Sequence, residues 1–298
     1  MHKDSAESGL IESVGPWPFI TRRTYRLPDR TRVVWRSRVH RKGLPGAGPV
    51  HAGAVAAALL RGLWMPGQLN WWIAVIFALG ASLFMVGSVL SLAPGLARVW
   101  SLDTDAINTT FFAGSIPFTT AAYLQLFQSA NAGEFSLHGI RRTRRVVLFG
   151  WRPHDIGWLS CALQFPGTAL FNLNTFDATL SGLDWLQQDL MIWAPDVAGS
   201  VLFLLSGYLA FVETCDGHFA WRPYSISWWV TFANLLGCVA FMISAAFAFV
   251  PPQSPDFDAA ALAALFTLVG AAGFLVGSLL MLPETALPPD SVSLENTA

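Results

Sequence analysis

Five stretches of this 298-residue chain contain no Asp, Glu, Lys or Arg: residues 62–97, 106–133, 156–176, 223–255 and 259–283. About 20 apolar residues in a helix cross the hydrocarbon core of a bilayer, and no water is available there to solvate a charge. The charge-free runs are long enough for that, and the composition agrees. Charged residues make up 12% of the chain, apolar residues 53%, and mean hydropathy is +0.47. Soluble domains carry about 25% charged residues. The sequence therefore predicts an all-α polytopic membrane protein. Six transmembrane helices are expected, over residues 69–93, 107–128, 156–176, 190–212, 225–250 and 259–282.

The basic residues predict the orientation. Eleven Lys and Arg lie in the first 68 residues, five between helices two and three (Arg141, Arg142, Arg144, Arg145, Arg152), and one, Arg222, between helices four and five. The opposite loops hold only Arg98, together with Asp103, Asp105, Asp177, Asp184, Asp189, Asp256 and Asp258. Cytoplasmic loops carry the positive excess. Both termini are expected in the cytoplasm, in a multi-pass protein of the plasma (inner) membrane.

The first 50 residues form a basic cytoplasmic unit. Residues 24–27 and 31–41 read as two strands about a turn at Pro28-Asp29-Arg30, a small basic β-hairpin. Arg32, Arg36 and Arg38 alternate with apolar residues, a pattern suited to anionic lipid at the inner leaflet. Residues 51–68 read as an Ala/Leu-rich interfacial helix.

An internal repeat organises the rest. Trp151-Arg152-Pro153-His154 recurs 70 residues later as Trp221-Arg222-Pro223-Tyr224. Trp158 then matches Trp228, Gln164 matches Asn234, Gly167 matches Gly237 and Phe171 matches Phe241. Trp71, Gly80 and Phe84 join the same frame. In the alternate helices Gly114, Gly199 and Gly270 open matching segments, with Gln128, Glu213 and Glu284 fourteen residues on. The expectation is three tandem helical hairpins, 69–128, 151–212 and 221–284, around a pseudo-threefold axis along the membrane normal, followed by a cytoplasmic tail at 285–298. Gly80, Gly167, Gly237, Gly114, Gly199 and Gly270 are expected at close helix contacts. Trp71, Trp72, Trp158, Trp228 and Trp229 are expected as interface anchors.

Residues 21–128 combine a segment of strand character with two apolar helices. The first carries Phe84-Met85-Val86-Gly87-Ser88-Val89-Leu90 and the second Gly114-Ser115. In this it resembles the YrhK-like family of small two-helix bacterial membrane domains, with degenerate echoes in the later hairpins. The resemblance implies a membrane hairpin fold and no catalytic residues.

The chemistry that the sequence offers is sparse. Lysine occurs only at positions 3 and 42, so no intramembrane Schiff base is available. No phosphate-binding Gly-rich loop appears. Glu213, Cys215, Asp216 and His218 do not have zinc spacing, and no metal or cofactor is expected at them or at His154. No nucleic-acid motif accompanies the basic segment, and no catalytic set is recognisable. The informative residues are polar groups inside the spans. Gln164 and Asn234 share a repeat position, and Asn172 adds to a polar lining. Asp196 stands alone as an acidic residue within a span, with Phe111 and Thr267 at the equivalent positions. It is read as an ion or proton site, or else as an N-cap at a later helix start. The expected function is translocation or binding of a small solute, ion or lipid within the bundle, with a homo-oligomer allowed. The alternative is a non-catalytic scaffold that binds anionic lipid or a partner protein through the basic N-terminal unit.

Overall fold

The computed structural model describes residues 9–29, 31–45, 52–136, 139–141, 145–249 and 259–287. The loop acids Asp256 and Asp258, and most of the tail 285–298, lie outside the described residues. The chain opens with a three-stranded antiparallel sheet, β1 (Gly9–Val14), β2 (Arg22–Arg26) and β3 (Arg32–Arg36). Two short helices follow, α1 (Ser37–Lys42) and α2 (Ala52–Gly62). Next come α3 (Leu69–Leu92), α4 (Pro94–Val99), α5 (Thr104–Ala130), a small hairpin of β4 (Glu134–Ser136) and β5 (Gly139–Arg141), and α6 (Ile156–Asp177). A continuous helical run then comprises α7 (Trp185–Gln187), a π-helical turn (Gln188–Trp193) and α8 (Ala194–Cys215). The last two helices are α9 (Ile226–Phe247) and α10 (Ala259–Thr285).

Four helical segments among the described residues are long and apolar enough to cross a membrane: Leu69–Leu92, Trp185–Cys215, Ile226–Phe247 and Ala259–Thr285. They mark an integral membrane protein. Helices α5 and α6 are of similar length but carry more polar residues, among them Asn108, Thr119 and Gln125 in α5 and Gln164, Asn172 and Asn174 in α6. The six long helices close a ring. Helix α3 packs on α5, α5 on α6, α6 on α8, α8 on α9, α9 on α10, and α10 back on α3. Within this ring the named polar residues of α5 and α6 are half-buried.

The same local geometry recurs at the start of α3, α6 and α9. The amide of Gln68 donates to the Met65 carbonyl at 2.9 Å, that of Asp155 to Arg152 at 2.9 Å, and that of Ser225 to Arg222 at 3.0 Å. The indoles of Trp71, Trp158 and Trp228 donate back to the carbonyls of Leu63, Phe149 and Ala220. Each also packs edge-on against a tryptophan seven residues earlier: Trp64, Trp151 and Trp221. Trp71, Trp158 and Trp228 are therefore buried, not interface anchors. Among the tryptophans of these three turns, Trp64, Trp151 and Trp221 are exposed, as are Trp72 and Trp229 to a lesser degree. The Trp-x-Pro turn occurs three times, because Trp64-Met65-Pro66 belongs to the set.

The six matched glycines pair off between neighbouring helices. A Cβ on Gly80 would lie 2.9 Å from the Gly114 carbonyl oxygen, one on Gly167 3.2 Å from that of Gly199, and one on Gly237 2.9 Å from that of Gly270. Backbones approach this closely only where no side chain intervenes. Gly237→Ala is expected to destabilise the protein by about 1–3 kcal/mol, the usual effect of overpacking. Gly95→Ala, whose Cβ would meet nothing within 4 Å, is expected to be neutral. Thermal unfolding of both variants in detergent checks this pair of outcomes.

The N-terminal unit differs from the expected hairpin. A third strand, β1, pairs with β2, and β3 ends at Arg36. The segment read as the rest of the second strand is instead α1, closed by Gly43 in the left-handed region at φ 62°. The reason lies in what it faces. Helical spacing turns Arg38, Arg41 and Lys42 to one side, where buried carboxylates await them. A strand would have pointed Arg41 and Lys42 to opposite faces.

Candidate functional site

A step of seven residues returns to the same helix face after two turns, about 10.5 Å further along. Along α5, α8 and α10 such steps define levels down the ring. Phe111, Asp196 and Thr267 line one pocket, of about 230 Å³. Seven residues on, Phe118, Phe203 and Phe274 are buried. A second cavity follows, of about 50 Å³, lined by Gln125, Ala210 and Met281 among others. Seventeen residues past Asp196 comes Glu213, with Gln128 and Glu284 matching it. Helices α3, α6 and α9 run the other way through the same levels. Gln164, Asn234 and Phe77 line the 50 Å³ cavity, Phe84, Phe171 and Phe241 follow, and Ser91, Ala178 and Ala248 line the pocket with Asp196.

The two spaces share no lining residue. Between them stand six phenylalanines in mutual contact. Phe171 stacks on Phe203 with centroids 4.8 Å apart, Phe84 meets Phe118 edge to face at 5.3 Å, and Phe241 packs at a tilt on Phe274 at 5.7 Å. Cross-contacts join the pairs, including Phe118 to Phe274 at 5.5 Å and Phe203 to Phe274 at 5.6 Å. The layer between the two spaces is apolar, and its rings are in contact with one another.

Asp196 lies within the continuous run Trp185–Cys215, eleven residues from its start. This is about 16 Å along the axis, too deep for an N-cap. The helix begins earlier than the expected residue 190. Its π turn precedes Pro195, which has no N–H to give to the carbonyl four residues back. That carbonyl belongs to Met191, and the adjacent Ile192 carbonyl accepts from Asn174 Nδ2 at 2.9 Å. π turns are frequent at functional sites, and this one lies directly before Asp196 in a run that also carries Asp189 and Glu213. Asn172, expected in the polar lining, borders neither space; its neighbour two positions on, Asn174, lines the Asp196 pocket.

At the other end α1 closes the ring. Glu213 accepts from Arg41 Nη2 at 2.7 Å and from the Ser37 hydroxyl at 2.7 Å. Glu284 accepts from Arg38 Nε at 3.1 Å and Nη2 at 2.9 Å on one oxygen, and from Lys42 Nζ at 2.7 Å on the other. The third residue of this level, Gln128, donates to the Lys42 carbonyl at 3.2 Å. All three repeat-matched positions thus hold the same helix. Both carboxylates and all three basic side chains are buried. Burial opposes the charge on Arg41, but Glu213 beside it holds the guanidinium above its ordinary pKa. Burial, and then the nearby Arg38, push the Lys42 ammonium down to about 8 against the pull of Glu284. Gly157, which starts α6 over this network, leaves the room it needs, since a Cβ there would collide with Arg41 and Glu213.

The pairing corrects the reading of Arg38 as a lipid contact, because a side chain bonded to Glu284 inside the ring does not reach a headgroup. Arg32 is exposed and Arg36 half-buried on β3. Sequence reasoning matched Gln128, Glu213 and Glu284 but missed their partners, since nothing in a basic segment marks which of its charges will be buried. His218 bonds the Tyr208 hydroxyl through Nδ1 at 2.8 Å. Asp216, also singled out in that loop, accepts from Thr21 at 2.8 Å and from Arg222 at 3.0 Å, tying the sheet to the α8–α9 loop.

No family model, no curated protein and no solved structure matches this chain.

Proposed function

We propose that this is a six-span inner-membrane protein of three hairpin repeats that binds or translocates a small ion or solute along its pseudo-threefold axis. One observation carries the reading: a pocket containing Asp196 and a polar cavity containing Gln164 and Asn234 lie in line on either side of the phenylalanine constriction. Support for the repeat comes from the three Trp-x-Pro turns, the three glycine pairs and the seven-residue levels. The orientation rests on the basic end being cytoplasmic. On that orientation Asp196 is reached from outside, where the acidic loops concentrate cations. A charge at such depth is retained where it faces protein or water. The level-to-level distance agrees with a spanning path, because the 17 residues from Asp196 to Glu213 rise about 25 Å, close to the ~30 Å hydrocarbon core.

The conformation is a closed one. The phenylalanines seal the middle, and α1 seals the inner mouth with three cations against two carboxylates. Passage of a cation requires both to move, so α1 serves as an inner gate. The YrhK-like likeness of residues 21–128 agrees with a hairpin building block and adds no activity.

Flux of protons, Na⁺ and K⁺ into proteoliposomes, with Asp196→Asn beside the wild type, tests the proposal. Wild-type flux for one of these ions, lowered at least tenfold by the substitution at unchanged thermal stability, is the expected outcome. An unaltered rate removes Asp196 from the site. No wild-type flux under any gradient transfers the argument to the scaffold reading.

A further inference from the structure

The pocket that contains Asp196 combines a single charge with aromatic walls. Five phenylalanines line it: Phe84, Phe111, Phe118, Phe171 and Phe241. Among the described residues of the lining Asp196 is the only charged one, and its carboxylate takes no hydrogen bond or ion pair from them. The other polar groups have given protons to the backbone. The hydroxyls of Ser91, Thr175 and Thr267 donate to the carbonyls of Gly87, Phe171 and Ala263. Asn108 and Asn174 donate to the carbonyls of Ala178 and Ile192. The pocket therefore offers a guest chiefly one anion, hydroxyl lone pairs and aromatic surface. The three repeats place one of each at a single level, in Asp196, Thr267 and Phe111.

We propose that this pocket binds a small organic ammonium ion, held by Asp196 and by the phenylalanine walls. The inference rests on the reading of Asp196 as a cation site and adds the chemical class of the guest; it does not depend on passage along the axis. An inorganic cation needs oxygens that replace its hydration shell, and phenyl rings supply none. The water around a hydrated ion would lose hydrogen bonds against the same walls. An alkylated ammonium brings its own apolar surface, which packs on the rings, and its charge is attracted by their quadrupoles. The carboxylate opposes that charge out of bulk water, where the attraction is strongest. The size agrees. An apolar cavity of about 150 Å³ holds a benzene molecule. The Asp196 pocket, of about 230 Å³, accommodates on that scale roughly six to nine non-hydrogen atoms. Of protons, Na⁺ and K⁺, this lining suits the proton, which needs the carboxylate alone.

Isothermal titration calorimetry of the full-length protein in a neutral detergent tests the proposal, with choline as the probe. The comparison ligand is 3,3-dimethylbutan-1-ol, which has the shape of choline without its charge. Asp196→Asn, Phe111→Leu and Phe111→Tyr are set beside the wild type, with the unfolding temperature of each measured. The expected result is saturable choline binding, with the alcohol at least about tenfold weaker and choline weakened as much by D196N, since an interaction with a charged group is worth about that factor. F111L is expected to weaken choline about fivefold and F111Y to leave it within about twofold, as loss and retention of one cation–π contact require. If D196N does not fold, the difference between choline and the alcohol and the contrast between F111L and F111Y decide. No saturable choline binding, the alcohol binding as tightly, choline binding unchanged in folded D196N, or F111L and F111Y behaving alike overturns the proposal. Asp196-dependent flux of Na⁺ or K⁺ without choline binding would leave the cation path standing with an inorganic guest. Asp196-dependent choline binding without flux of any ion would keep the pocket and remove the passage.

Discussion

Glu284→Gln is expected to be among the most damaging single substitutions in this chain. It leaves Arg38 and Lys42 buried against a neutral amide. Removing one partner of a buried ion pair costs about 3–5 kcal/mol, because the charge left behind has lost both water and its counter-ion. The triple variant Glu284→Gln, Arg38→Met, Lys42→Met is expected to recover much of that loss, since no buried charge remains unpaired and the methionines fill the space. Thermal unfolding in detergent compares the two. Limited trypsin digestion supplies a local readout: Arg38, Arg41 and Lys42 are protected in the wild type and become cleavable once α1 leaves the ring. A single variant as stable and as protected as the wild type would show that α1 does not depend on Glu284.

The second large effect is expected at Phe203. It is 1% exposed and touches Phe171, Phe241 and Phe274. Truncation of a buried phenylalanine to alanine costs about 3–5 kcal/mol through lost transfer energy and the cavity that remains. The cavity matters more than the stability here, because it would join the Asp196 pocket to the polar cavity. Cys161 and Cys238 line the latter, so they report the connection. A small charged thiol reagent applied to the Asp196 side of reconstituted vesicles should leave both cysteines unmodified in the wild type. Phe203→Ala should make at least one of them reactive, read by mass spectrometry of peptides. Folded F203A protein that stays unlabelled would mean that another layer closes the path.

Much of the axial arrangement was legible in the residues, for a reason that applies to repeats generally. When one hairpin pattern recurs, a position that faces the centre in one copy faces it in the others. Gln164 and Asn234 could thus be matched before any coordinates, as could Asp196 with Phe111 and Thr267, and Gln128 with Glu213 and Glu284. The glycine pairs followed from the same register. Asn172 falls outside this logic: it was assigned to the lining on polarity alone, without a repeat partner, and it borders neither space. The buried tryptophans were misread because a tryptophan near a helix end fits an interface belt and a packed core equally well. Only its neighbour seven residues earlier distinguishes the two, and Trp64 went unrecognised as that neighbour in the first hairpin.

The sequence by itself determined that the chain belongs in a membrane and which positions of its helices carry matching residues, because periodicity and the absence of charge are local properties that any reader of the chain can count. Only the tertiary structure decided that the ring closes between α10 and α3, that six phenylalanines meet at its centre, and that α1 enters its mouth. Arg38 and Glu284 are 246 positions apart. In sequence Arg38 is one of many basic residues beside a membrane, indistinguishable from Arg32 or Arg36. Whether such a charge faces water, lipid or a carboxylate depends on which groups the fold carries to within 3 Å of it. Coulomb attraction is strong enough to hold α1 only at that distance and out of water, and no spacing along the chain encodes it.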